Sequence, residues 1–258
     1  NGAGNNQFSS PSSLAVASTG KIHITDEGNN RIVRIDSISG SNWVNFGTAG
    51  TGTNQFSSPV GIFVDSANKI YVSDKNNDRI IRFDDMSGTN WTAFGTSGTG
   101  TNQFNSPSGI FVDSSFKIYI CDENNNRIVR IDSMTGTNWV SFGTAGAGAN
   151  QFNSPAGIAV DSSGKIHVAD KNNNRIVRID TMTGTNWTNF GASGTGTNQF
   201  SSPTSISLQS DGKILIGDEN NNRIVRIDGM TGSNWASITI FDASSSAFRA
   251  LFSSAFAL

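Results

Sequence analysis

Short apolar runs alternate with polar ones along most of this chain, and they return in the same order. Between Pro59 and Pro107 the order is GIFVD, KIYVSD, RIIRFD and NWTAFG. Runs of this length, rich in β-branched and aromatic residues and bounded by turn formers, predict strands rather than helices. The stretches between them are turn chemistry: SAN (SSG and SDG in other copies), KNND and DMSGT carry the Gly, Asn and Asp that tight connections select. The longer TSGTGTNQFNSP reads as a return to the next unit, because its proline cannot occupy a central strand. In this unit Ile62, Val64, Ile70 and Val72 share one face of a strand pair, and Phe63 and Tyr71 share the other. Inner strands apolar on both faces are expected to be covered on both sides.

The unit recurs with a period of 48 residues: the Asp that closes the second strand stands at Asp26, Asp74, Asp122, Asp170 and Asp218. Tandem units of four antiparallel strands are the sequence signature of a β-propeller, in which each small twisted sheet buries its faces against its neighbours. The fold class is therefore all-β: five regular 48-residue, four-stranded blades over residues 1–235, followed by an irregular tail over 236–258. The residue after that Asp runs Glu27, Lys75, Glu123, Lys171, Glu219, and the beat of two recurs in Val44, Thr92, Val140, Thr188 and in Ala49, Ser97, Ala145, Ser193. An alternation of period two fits an even ring, so we expect six blade positions with the sixth reduced or missing. The tail, ASITIFDASSSAFRALFSSAFAL, is expected to extend the fourth strand or to form a hairpin. Its Phe248, Leu251, Phe252, Phe256 and Leu258 call for a partner, either as ring closure or as a contact in a homo-oligomer.

The stretch NSPAGIAVDSSGKIHVADKNNNRIVRID resembles the NHL repeat in its P-x-G-[IV]-A-V-D opening, its strand-ending Asp and its N-x-R-[IV] third strand. The resemblance extends over residues 7 to 235. It implies a propeller used as a protein or RNA interaction module, as an extracellular sensor domain or, in a minority, as a metal-dependent lyase. Lyases of this fold use His ligands with a Tyr and an Arg at the central channel. Here that constellation has no residue-by-residue match, since His23 and His167 fall on second strands rather than on the channel-lining first ones.

Charge and composition narrow the functional classes. With 18 Lys and Arg against 20 Asp and Glu, a net charge of −2 disfavours nucleic acid and anionic membrane surfaces. No run is long and apolar enough for a spanning helix, so membrane insertion is not expected. The lone Cys121 excludes an internal disulfide, and Thr25, Ser73, Ala169 and Gly217 at the same place in other units mark it as a small packed spacer. No charged stretch followed by an apolar one precedes the repeats, so any secretion signal is expected to have been removed or never to have formed part of this sequence. The Asn, Gly, Ser and Thr-rich surface suggests an extracellular or cell-surface setting.

The polar turn DENNNR is the candidate site that repetition makes most conspicuous. Its central residues, Asn76, Asn77, Asn124, Asn125, Asn172, Asn173, Asn220 and Asn221, are the candidate binding residues. The competing reading is structural: Asp122 and Arg127 flank a short turn and are placed to pair across it, and Asn tolerates the left-handed backbone such turns need. Calcium does not suit the cluster, which lacks EF-hand spacing and a closing Glu and includes a repelling Arg. Facing pairs on the first two strands read Ala15 with His23, Phe63 with Tyr71, Phe111 with Tyr119, Ala159 with His167 and Ser207 with Leu215. Two His without a third ligand make a poor zinc site, and neither a nucleophile elbow nor a phosphate loop is present. Trp43, Trp91, Trp139, Trp187 and Trp235 open the fourth strands, either as packing against the neighbouring blade or as stacking platforms for a sugar. The reading is a non-enzymatic binding or scaffold protein without cofactor or metal, whose partner is another protein or a second copy. A glycan ligand or a metal-dependent lyase activity are the alternatives.

Overall fold

The computed structural model describes residues 2–239. Five four-stranded antiparallel sheets follow one another along the chain, each with its strands in sequence order. In the second blade these are Pro59–Val64, Ile70–Asp74, Arg79–Phe83 and Thr92–Phe94. The expected face pairing is present: Ile62 lies opposite Val72, Phe63 opposite Tyr71 and Val64 opposite Ile70. The fourth strand of the fifth blade is Ala236–Thr239, so the start of the tail continues that sheet. The expected hairpin, ring closure and oligomer contact of the tail fall on residues 240–258, outside the described residues.

First strands pack side by side from blade to blade around an axis, and all five line one axial cavity of about 90 Å³. Hydrophobic cores fill the seams between blades 1 and 2, 2 and 3, 3 and 4, and 4 and 5. Blades 2, 3 and 4 each offer one face to the preceding blade and the other to the next. In the third seam Tyr119, Cys121 and Ile128 of blade 3 meet Phe152, Ile158, Val168 and Val177 of blade 4. Cys121 is fully buried, and burial pushes its thiol pKa well up, as suits an inert spacer. The face of blade 1 that looks away from blade 2 has a cluster of its own, Ile24, Val33 and Ile35 with Phe8, Leu14, Ile22 and Trp43. Among the described residues no hydrophobic core joins blade 5 to blade 1.

Two features of the seams come from glycine and from the return. A Cβ at Gly157 would lie 2.9 Å from both the Thr204 carbonyl oxygen and Ser205 Cα, so the P-x-G glycine lets neighbouring first strands approach this closely. The return is more than a connection. In four places it folds into a two-stranded parallel ribbon, such as Thr144–Ala145 with Gln151–Phe152, and Phe56, Phe104, Phe152 and Phe200 at its end are fully buried. Each of these rings meets the next Trp in sequence at an inclined angle, as Phe152 does Trp187 with centroids 5.3 Å apart and planes 53° apart.

Candidate functional site

The DENNNR turns lie together on one face, because every one joins the second and third strands of its blade. Locally each turn is a single 3-10 turn, Glu123–Asn125 in blade 3, closed by a left-handed residue with φ 53° at Asn126. Asn, or Asp78 in blade 2, occupies that position in all five turns, which suits its tolerance of positive φ.

The Asp at the start of each turn is fully buried and fully used. Asp122 Oδ1 accepts the Asn105 backbone N–H at 2.7 Å, while Oδ2 accepts from Asn125 Nδ2 at 2.8 Å and from Arg127 Nε at 2.7 Å. The Arg127 guanidinium reaches on to the carbonyl oxygens of Thr99, Gly100 and Gln103, at 2.7, 3.2 and 2.9 Å. The pair therefore fastens the incoming return to its blade. The same arrangement is built around Asp26 and Arg31, Asp74 and Arg79, Asp170 and Arg175, and Asp218 and Arg223. Burial pushes the pKa of Asp74, Asp122 and Asp170 up, opposed by the hydrogen bonds and by the Arg charge.

The candidate asparagines divide into two sets. Asn77, Asn125, Asn173 and Asn221 point inward, each donating to the buried Asp and to a return carbonyl; for Asn125 the latter is Gly98. Asn76, Asn124, Asn172 and Asn220 are exposed on the face. Asn124 and Asn172 donate to Asn105 and Ser106 and to Asn153 and Ser154, and Asn220 donates to the Ser202 hydroxyl. Sequence reasoning missed the return residues that hold these amides; the recurring S/N-S-P before each first strand was the available signal.

The Asn30, Asp78, Asn126 and Asn174 side chains accept the backbone N–H of Ser58, Ser106, Ser154 and Ser202 in the next blade, at 2.7 to 2.9 Å. At the mouth of the axial cavity the alternating charges meet: Glu123 accepts from Lys75 at 2.8 Å and lies 3.9 Å from Lys171, and Glu27 accepts from the Ser58 hydroxyl. At Glu123 the Glu and Lys alternation is thus a contact between adjacent blades. The result is a rigid, polar face of amides and hydroxyls, suited to hydrogen-bonded recognition.

The remaining candidates lie elsewhere. Trp91, Trp139, Trp187 and Trp235 are half-buried, each against a Phe of the preceding blade: Phe46, Phe94, Phe142 and Phe190. Arg127, Arg175 and Arg223 cover the Trp of their own blades at 5.4 to 5.7 Å. His23 and His167 lie on their second strands, opposite Ala15 and Ala159. Burial and the Arg34 charge hold His23 down to about 4, and burial also lowers His167. Among the described residues no three His, Cys, Asp or Glu side chains are grouped as metal ligands, and no helix is long and apolar enough to cross a membrane.

Comparison with known proteins agrees with this architecture. The NHL repeat model matches residues 152–179. No curated protein matches the chain significantly. Similar solved structures include a streptogramin B lyase, 22% identical, with a TM-score of 0.67 over 92% of this chain and 70% of that one. Virginiamycin B lyase from Staphylococcus aureus is 20% identical, with a TM-score of 0.65 over 93% and 73%. A chain of the nidogen/laminin complex is 18% identical, with a TM-score of 0.67 over 89% and 80%. At such identities the likeness is one of fold, and an enzyme and a binding protein share it.

Proposed function

The chain is an NHL-repeat β-propeller, and from that premise we propose that it is a non-enzymatic scaffold that binds another protein through the DENNNR face and acts outside the cytoplasm. The observation that carries this reading is the repeated presentation of Asn76, Asn124, Asn172 and Asn220 on one pre-organised surface. A face held rigid by buried Asp–Arg pairs loses little conformational entropy on binding, and amides offer a polypeptide both donors and acceptors. A chain of similar fold in the nidogen/laminin complex supports the class of partner.

The test immobilises the protein, identifies what it retains from its native source, and repeats the capture with all four exposed asparagines replaced by Arg. The reading expects a specific protein that is retained by the wild type and lost by a variant with unchanged thermal stability. Undiminished capture by that variant would refute the assignment of the face. A stoichiometric divalent metal in the purified protein, with turnover that depends on it, would refute the non-enzymatic reading.

A further inference from the structure

The face opposite the DENNNR turns has a feature that repetition does not produce. In blades 2 and 3 the paired positions near the axis carry Phe63 opposite Tyr71 and Phe111 opposite Tyr119, and the two Phe rings meet at 4.9 Å. Their Tyr hydroxyls donate to Asp65 and Asp113 at the ends of the first strands. In blades 4 and 5 the Phe positions hold Ala159 and Ser207. Without the two phenyl rings, this end of blades 4 and 5 borders a cavity of about 600 Å³ that has Phe63 and Phe111 in its wall. That volume falls within the roughly 300–1,000 Å³ of small-molecule sites.

The polar lining is cationic, with Arg178, Lys165 and His167 around a single Asp161 among the described residues. In blades 1, 2 and 3 the second Arg of the third strand lies within 3.7 Å of a carboxylate: Arg34 with Asp36, Arg82 with Asp84, Arg130 with Asp132. In blade 4 no ion pair among the described residues involves Arg178 or Lys165; Arg178 Nε and Asp180 Oδ1 are both buried without a hydrogen bond, as are Arg34 Nε with Asp36 Oδ1 and Arg130 Nε with Asp132 Oδ1, but only in blade 4 does the cavity reach the guanidinium. His167 is 5% exposed; its Nε2 lies 3.4 Å from Asp161 Oδ2, and its Nδ1 has no partner. Among the described residues Asp161 is the only carboxylate of the lining, so Arg178 and Lys165 against it leave one net positive charge with His167 neutral.

We propose that this cavity binds a small monoanion with an apolar ring, an aromatic carboxylate in chemical class, with the ring against Phe63 and Phe111 and the carboxylate toward Arg178 and Lys165. A buried guanidinium nitrogen without a partner costs free energy that a carboxylate would recover through a charge-assisted hydrogen bond. The remaining apolar wall favours a ring over a sugar or a phosphate ester.

Calorimetric titration with 2-naphthoate and with the uncharged 2-naphthalenemethanol tests the site. One saturable site is expected for the carboxylate, with the alcohol bound about tenfold more weakly. Arg178→Gln should bring naphthoate to the affinity of the alcohol and leave the alcohol unchanged. Ala159→Phe, which restores the residue of blades 2 and 3, should abolish binding of both while keeping the melting temperature; Ser207→Phe serves the same purpose if that chain fails to fold. Absence of saturation up to about 5 mM, equal binding in the filled variants, or an Arg178→Gln effect that is nil or the same on both ligands would each overturn the proposal.

Discussion

Replacing Arg127 with Met isolates what the Asp–Arg fastening contributes. Met keeps the length and apolar contacts of the stem over Trp139, and removes the charge and four donated hydrogen bonds: one to Asp122 and three to the return carbonyls of Thr99, Gly100 and Gln103. Asp122, with no exposed surface, retains the Asn105 and Asn125 donors but loses its counter-ion. Removing one member of a buried ion pair costs roughly 3–5 kcal/mol, against about 1 kcal/mol or less for a surface pair, so the expected loss is several kcal/mol at pH 7.5. A stranded carboxylate can take up a proton. Asp122 already has its pKa raised by burial, so its folded state holds a proton more readily than its unfolded state. The carboxylate penalty is therefore complete above the folded pKa and disappears as pH falls through it. In the variant that pKa is raised further, so the difference from wild type should shrink toward acid pH by up to about 1.4 kcal/mol per pH unit. Urea unfolding read by tryptophan fluorescence suits the measurement, because guanidinium would screen the charges under study. A loss under about 1 kcal/mol, or one independent of pH between 5 and 8, would refute the view that this pair works as a buried ion pair.

Three further outcomes are expected. His23 has a folded pKa of about 4 against 6.5 when free, so its contribution to stability is complete above pH 6.5 and is lost as pH falls to 4, amounting to about 3 kcal/mol; His23→Leu, which copies Leu215 of blade 5, should remove that part of the acid sensitivity, and an identical pH profile in both proteins would contradict the assignment. Gly157→Ala should cost about 1–3 kcal/mol in denaturant titration by forcing its new Cβ against Thr204 and Ser205, and a neutral outcome would mean that the seam between blades 4 and 5 is loose. Phe116 is half-exposed with φ 62°, where the other blades carry Gly20, Asn68, Gly164 and Gly212. Phe116→Asn should raise stability by about 0.5–1 kcal/mol, and a fall in melting temperature would show that the ring has a packing role.

By itself the sequence determined the architecture and the chemistry of the fastening, because both are local. Strand, turn and return repeat within one 48-residue unit, and Asp122 and Arg127 are brought opposite each other by their own hairpin. Comparing units also exposed the Glu and Lys alternation and the exchange of Phe for Ala159 and Ser207. What those positions face was decided only by the tertiary structure. The return looked like a polar connection because Gly and Thr outnumber its single Phe, yet Phe152 is a core residue, and the Arg127 guanidinium finds carbonyls 24 to 28 residues back in the chain. The inward Asn125 and the outward Asn124 are neighbours of the same type, separated only by their successive positions around one 3-10 turn. The cavity beneath blades 4 and 5 arises because Phe63, Phe111, Ala159 and Ser207, each one 48-residue repeat from the next, converge near one axis. Periodicity along a chain states which residues are equivalent; only setting the blades around that axis brings residues from different repeats into contact.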